Sequence, residues 1–319
     1  MPSKSLLYNA LIPLLLWLFA LAPARATDKT FTLDGVVFTH KIAIVNGITL
    51  HYVIGGQGEP VLLLHGYPET WYDWRKVMPI LSHRYTVIAP DMRGLGDSTR
   101  PANGDYTKKS VADDVYKLMQ SLGYRQIYLV AQDMGGPVAV AYAAAHPDTI
   151  HKMVAVETGI PGYGLEAAMD TAHGGSWHFG FFADVDTALL LTREREKAFF
   201  TQWAFRGHYV TNKAAFTDAV INEYVRHYAA PGGMAAGFGY YRAFAQDARD
   251  NARLFAQMKL AFPILAVGAD HSFGDFTLTN MRNVGTNVRG VIVKDCGHFV
   301  NEERPAELSR MIMEFFAEP

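Results

Sequence analysis

Ile127-Tyr128-Leu129-Val130-Ala131-Gln132-Asp133-Met134-Gly135-Gly136-Pro137 is the stretch from which the fold of this 319-residue chain is read. Its first four residues are apolar and suited to a pleated sheet, so they form a buried strand. The strand stops at small residues and passes at once into Pro137–Ala145, which reads as a helix. Proline suits the first turn, where its missing N–H has no intrahelical partner to lose. Asp133 therefore falls on a very tight strand-to-helix turn. Ala131, Gly135 and Gly136 leave the backbone room to fold that sharply.

The same rhythm runs outward from this unit. Upstream, Val36–Val45 and Ile48–Ile54 flank Asn46-Gly47, a strong hairpin signal. Val61-Leu62-Leu63-Leu64 and Tyr85–Ala89 read as buried parallel strands, separated by a helix expected over Trp71–Leu81. Thr107 is placed to cap a helix from Lys108 to Leu122. Downstream, Met153–Val156 is another short strand that ends at Glu157. From 160 to 253 the strands disappear and an aromatic-rich, helical pattern takes over. Strands return at Phe262–Val267 and Gly290–Val293, and Pro305–Phe316 forms a closing helix. The alternation implies an α/β fold with a mostly parallel, doubly wound sheet. A core of residues 27–159 and 254–319 would carry an inserted helical cap, residues 160–253. In such sheets the reactive crevice lies beyond the carboxyl ends of the strands. His65, Asp133 and Glu157 all fall there.

Half of the residues are hydrophobic and the formal net charge is -2, which gives ample core and no basic footprint for nucleic acid. Lys4, the apolar run Leu6–Leu21 and Pro23-Ala24-Arg25-Ala26 make up a secretory signal peptide over residues 1–26. The protein is thus expected to be exported, to the periplasm or beyond. Tyr8, Asn9 and Pro13 interrupt the run, which is short for a span, so no stable membrane insertion is expected after cleavage. Cys296 is the single cysteine, so no internal disulfide can form, and it reads as a small buried residue. A homodimer is left open by the sequence.

A carboxylate at the turn is ionised without help from a base. Attack on a carbonyl would give an anhydride, whereas attack on saturated carbon gives an alkyl ester that water can split. Asp133 thus points to epoxides or alkyl halides. His298, after the final strand in Cys296-Gly297-His298, can activate that water, and its late position matches the nucleophile, acid, histidine order of hydrolases built on a strand–turn–helix elbow. The histidine needs an acid behind it. Glu157 and Asp270 both follow strands, and the residues alone do not choose between them. In His65-Gly66-Tyr67-Pro68 the N–H of Tyr67, with that of Met134, would form the oxyanion hole. Pro68 is a candidate for a cis bond. The Gly-rich run Asp91–Ser98 lacks the Lys-Ser/Thr of a phosphate loop and reads as a structural turn. No metal or organic cofactor is implied.

These motifs, together with Pro90-Asp91, Trp177-His178-Phe179 and Tyr240-Tyr241-Arg242, resemble the epoxide hydrolase group of the α/β-hydrolases, and within it the secreted, Cif-like bacterial branch. The resemblance implies a small apolar epoxide as substrate and two cap donors to the leaving oxygen, His178 and Tyr241. It also implies Glu157, rather than Asp270, as the acid behind His298. Members of that branch carry a second cysteine where this chain has Arg304, so a bridge to Cys296 is lost.

Two other readings compete. Haloalkane dehalogenases place a halide-holding tryptophan beside the nucleophile, where this chain has Met134. Fluoroacetate dehalogenases hold the substrate carboxylate with arginine, a role open to neither Met134 nor Pro137, although a cap histidine and tyrosine would suit fluoride. A non-catalytic binding protein on the same fold would show damage to the nucleophile, base or oxyanion loop, and none is visible.

Overall fold

The Asn46-Gly47 turn sets the first strands, with both residues at positive φ (50° and 75°) as a tight hairpin requires. The computed structural model describes residues 29–101 and 103–319, so the export signal expected over residues 1–26 lies outside the described residues. The strands are β1 (Lys29–Leu33), β2 (Val36–Val45), β3 (Ile48–Gly56), β4 (Glu59–Leu64), β5 (Tyr85–Pro90), β6 (Ile127–Gln132), β7 (Ile150–Val156), β8 (Ile264–Ala269) and β9 (Val288–Val293). They form one sheet in the order β1-β2-β3-β5-β4-β6-β7-β8-β9. The first three strands and the β3–β5 pair are antiparallel, and the rest are parallel.

Alternation along the central strands feeds two cores. Val61, Leu63, Val130 and Val154 face the closing helix Pro305–Ala317, through Leu308, Ile312, Phe315 and Phe316. Leu62, Leu64, Leu129 and Ala131 face the other way, toward helices Lys108–Ser121 and Gly135–Ala145. Each of the valines and leucines among them, fully buried, contributes about 1.5–3 kcal/mol. The second core runs on into the aromatics between β7 and β8, including Phe182, Phe200, Tyr228 and Phe238. The described residues of that passage form helices and turns and no strand of the sheet.

Two local expectations change. The helix expected over Trp71–Leu81 is broken into a 3₁₀ turn, Trp71–Trp74, and a short helix, Met78–Leu81. Pro79 accounts for the break, since it has no N–H to donate and its ring opposes the carbonyl four residues back. Arg75, in the gap, turns its guanidinium onto buried Glu302, with Nη2 2.8 Å from Oε2. Thr107 does precede the helix Lys108–Ser121, but its side chain does not cap it. The Lys108 N–H is taken instead by Asp247 Oδ1 from helix Phe244–Phe255, at 2.8 Å. The ammonium of Lys108 completes this buried pair with Asp247 Oδ2 at 3.0 Å.

Candidate active site

β6 ends at Gln132 and the next helix begins at Gly135, which leaves Asp133 at φ 45°. The left-handed conformation costs a residue with a side chain about 1–2 kcal/mol. It is held by the Asp133 N–H donating to the Val156 carbonyl at 3.1 Å, and by the Thr158 hydroxyl donating to the Asp133 carbonyl at 2.7 Å. A Cβ on Gly135 would stand 2.5 Å from the Leu64 carbonyl oxygen, and one on Gly136 2.0 Å from Thr158 Oγ1. Only glycine permits that approach.

The turn presents its carboxylate to two sets of groups. The Tyr67 N–H donates to Oδ1 at 2.8 Å, and the Met134 N–H also bonds the carboxylate. The Tyr67-Pro68 peptide is cis. Oδ2 lies 3.2 Å from Nε2 of His298. Behind the imidazole, Nδ1 stands 3.0 Å from Glu157 Oε2. Glu157 itself sits at φ 45°, fully buried, with Oε1 accepting from the Ala269 N–H at 2.6 Å and the Phe273 N–H at 3.3 Å. Asp270 is turned elsewhere: its carboxylate accepts from the Cys296 N–H at 3.3 Å and faces His271 and Lys294. Of the two candidate acids, Glu157 touches His298.

These contacts set the charges. Burial alone would lower the His298 pKa, but hydrogen bonds and the charges of Asp133 and Glu157 push it up to about 10. Burial opposes the Asp133 charge, yet His298 and the two N–H groups hold its pKa below the ordinary carboxylate range. The resting site is thus an ion pair of carboxylate and imidazolium.

The opposite wall comes from the helical passage. His178 opens the helix His178–Ala183 and Tyr241 lies on Gly233–Arg242, with ring centroids 5.8 Å apart. With Tyr67, Asp133 and His298 they line one small cavity of about 40 Å³, together with Phe179, Trp203, Tyr209, Phe273 and Phe299. Burial lowers the His178 pKa to about 3, so the ring is neutral. Burial, reinforced by the Asp133 charge, pushes the Tyr241 hydroxyl well above its ordinary value, so it keeps its proton. The Tyr241 hydroxyl has a proton to offer the cavity, and His178 has one on whichever ring nitrogen carries it.

Residues 59–305 match the sequence pattern of the α/β hydrolase fold family. The chain belongs to the α/β-hydrolase family. A soluble epoxide hydrolase from Corynebacterium sp. is 34% identical, over 88% of this chain and 97% of that protein. A fluoroacetate dehalogenase from Burkholderia sp. is 27% identical, over 88% and 94%. Among solved structures, Cfl2 from Burkholderia cenocepacia is 36% identical with a TM-score of 0.83, covering 88% of this chain and 96% of that one. The Cif epoxide hydrolase from Acinetobacter nosocomialis is 29% identical with a TM-score of 0.81, covering 87% and 88%.

This α/β-hydrolase also places residues at its site that no motif announces. Tyr209 and Ser176 stand beside His178, and Phe273 both lines the cavity and holds Glu157 through its N–H. Tyr209 comes from an irregular segment with no periodic pattern, which is why its position is not readable along the chain. Cys296 is buried and free, its thiol pushed up by burial. His51, Asp91 and Asp97 bring metal-capable atoms within 4.8 Å of one another. The Asp91 oxygens there already accept from the Trp71 and Asp97 N–H groups, both at 2.9 Å, and meet His51 Nδ1 at 2.7 Å. The group serves as a knot in the Asp91–Ser98 turn.

Proposed function

We propose that this hydrolase opens a small apolar epoxide to a vicinal diol through a covalent ester on Asp133. The observation that carries the reading is the placement of two neutral side chains, His178 and Tyr241, across a small cavity from a carboxylate backed by His298 and Glu157. An alkoxide is a poor leaving group and needs such donors as its charge develops. In the first step Asp133 attacks a ring carbon, the C–O bond breaks, and His178 and Tyr241 donate to the oxygen. The oxygen takes up one proton, for which the His298 imidazolium is the source by way of the donors or water.

Ester formation removes the negative charge in front of His298, so the imidazole loses the partner that held it protonated. Neutral His298, with Glu157 behind it, then takes a proton from water as that water attacks the ester carbonyl. The Tyr67 and Met134 N–H groups bind the oxyanion. Collapse of the oxyanion breaks the ester C–O bond, the departing diol oxygen takes the proton of the new tetrahedral hydroxyl, and Asp133 is left as a carboxylate beside protonated His298, so protons balance over the cycle.

The dehalogenase reading draws on the Burkholderia relative and on the aptness of His178 and Tyr241 for a halide. Against it, the residues lining the cavity include no arginine or lysine to bind a carboxylate-bearing substrate, and Met134 has no ring N–H. A single turnover of styrene oxide in 18O-water tests the proposal: the Asp133 peptide is expected to gain label by mass spectrometry. An unlabelled peptide from an enzyme that makes diol would exclude the ester. Release of fluoride from fluoroacetate without epoxide turnover would favour the second reading. We further propose an exported protein, supported by the pattern of residues 1–26, and expect the mature chain to begin at Thr27 on N-terminal sequencing.

A further inference from the structure

His178 is buried and neutral, so its ring carries a single proton and only one of its nitrogens can donate. The Tyr209 hydroxyl lies 3.1 Å from Nδ1 of that ring and 3.0 Å from Oγ of Ser176. Nδ1 is thus occupied, and Nε2 is the nitrogen left for the cavity.

Two arrangements of protons fit these distances. In the first, Ser176 donates to the Tyr209 oxygen, Tyr209 donates to Nδ1, and the ring proton sits on Nε2. In the second, every bond is reversed. Nδ1–H donates to Tyr209, Tyr209 donates to Ser176, and Nε2 is left as a bare lone pair. The Asp133 carboxylate discriminates between them. Its charge is the largest felt at the His178 ring, ahead of the opposing charges of His298 and His208, and in a buried site it attracts an N–H and repels a lone pair. Only the first arrangement offers a proton to a leaving oxygen.

Resting on the epoxide reading for its chemical purpose, we propose that Tyr209 is a positioning residue that holds His178 as the Nε2–H tautomer. The same residue is tied to the base. Its carbonyl accepts the main-chain N–H of His298 at 2.8 Å. The segment is pinned further by Glu303 Oε2, which accepts from the Thr211 N–H at 2.9 Å and the Asn212 N–H at 2.7 Å. Tyr209 therefore registers the ring-opening donor with one hand and the hydrolytic base with the other.

The test uses the full chain with 15N-labelled histidine and two-bond N–H correlation spectra, without substrate. Wild type and Ser176→Ala are expected to show a protonated Nε2 and an acceptor Nδ1 on His178. Tyr209→Phe keeps the ring packing and is expected to show a mixture of tautomers. In single turnovers with styrene oxide, Tyr209→Phe should slow alkylation of Asp133 about tenfold, because one preorganised donor is lost for part of the time. Hydrolysis of the ester should stay near the wild-type rate, an asymmetry that a general loss of structure would not produce. A wild-type ring protonated on Nδ1 overturns the proposal. So does a Tyr209→Phe protein that retains both the single tautomer and the alkylation rate. A wild-type Nε2–H in a protein that no epoxide alkylates would support the tautomer and overturn the substrate reading.

Discussion

Asp133 and His298 each keep the other charged, and that mutual dependence can be tested without turnover. Asp133→Asn has the shape of the acid and lacks its charge, as the ester would. The His298 pKa is expected to fall clearly below its value of about 10, by NMR titration; a value that stays there would remove the rationale for base release. Glu157→Gln should slow ester hydrolysis about a hundredfold or more while alkylation proceeds, so that the ester accumulates on Asp133. Asp270→Asn should do neither. Asp133 and His298 stand out along the chain because each depends on a local pattern, a strand followed by small residues or a histidine after a last strand. The acid was not legible from residues alone. Glu157 and Asp270 end neighbouring strands, and what separates them is the direction of the side chain. Glu157 turns at φ 45° onto the Ala269 and Phe273 N–H groups, while Asp270 faces His271 and Lys294.

Elements meet here through close backbone contacts and buried pairs. A Cβ on Gly297 would stand 2.3 Å from the Tyr209 carbonyl oxygen. Gly297→Ala should therefore push the Tyr209 segment away from the base, at a cost of about 1–3 kcal/mol. Chemical denaturation would read that loss, and slower ester hydrolysis would accompany it. The Lys108–Asp247 pair joins the helix after β5 to the helix Phe244–Phe255. Asp247→Leu leaves a buried ammonium without its partner and should cost about 3–5 kcal/mol, of which Lys108→Met in the same chain should restore most. A double variant no more stable than the single one would show that the pair serves some other need. Strands of this fold announce themselves by short apolar runs. Contacts such as these join residues far apart in sequence and leave no periodic trace, and the broken helix at Pro79 shows how one ring can override an otherwise helical stretch.

Across the whole molecule, the helical passage is fastened to the sheet by charge as well as by aromatic packing. His227, on helix Asp218–Tyr228, lies 3.4 Å from Asp97 Oδ1 and 3.6 Å from Glu223 Oε1. Burial would lower its pKa, but the two carboxylates raise it to about 9 from the ordinary 6.5. A raised folded pKa means stability that is fully present below the unfolded value and lost as pH climbs through the folded one. Thermal stability is thus expected to decline from about pH 7 to pH 9, and His227→Gln should flatten that decline. An equally steep profile in the variant would assign the effect to other groups. The order of strands could be followed from the sequence, as could the aromatic interruption. Which aromatics would enclose Asp133 could not, because one side of a helix looks like another until it is packed. The hydrogen bond from the His298 main-chain N–H to the Tyr209 carbonyl gives the two walls of the cavity a common anchor. The segment that flanks His178 and the loop that carries His298 share one main-chain link, so a displacement of either is passed directly to the other.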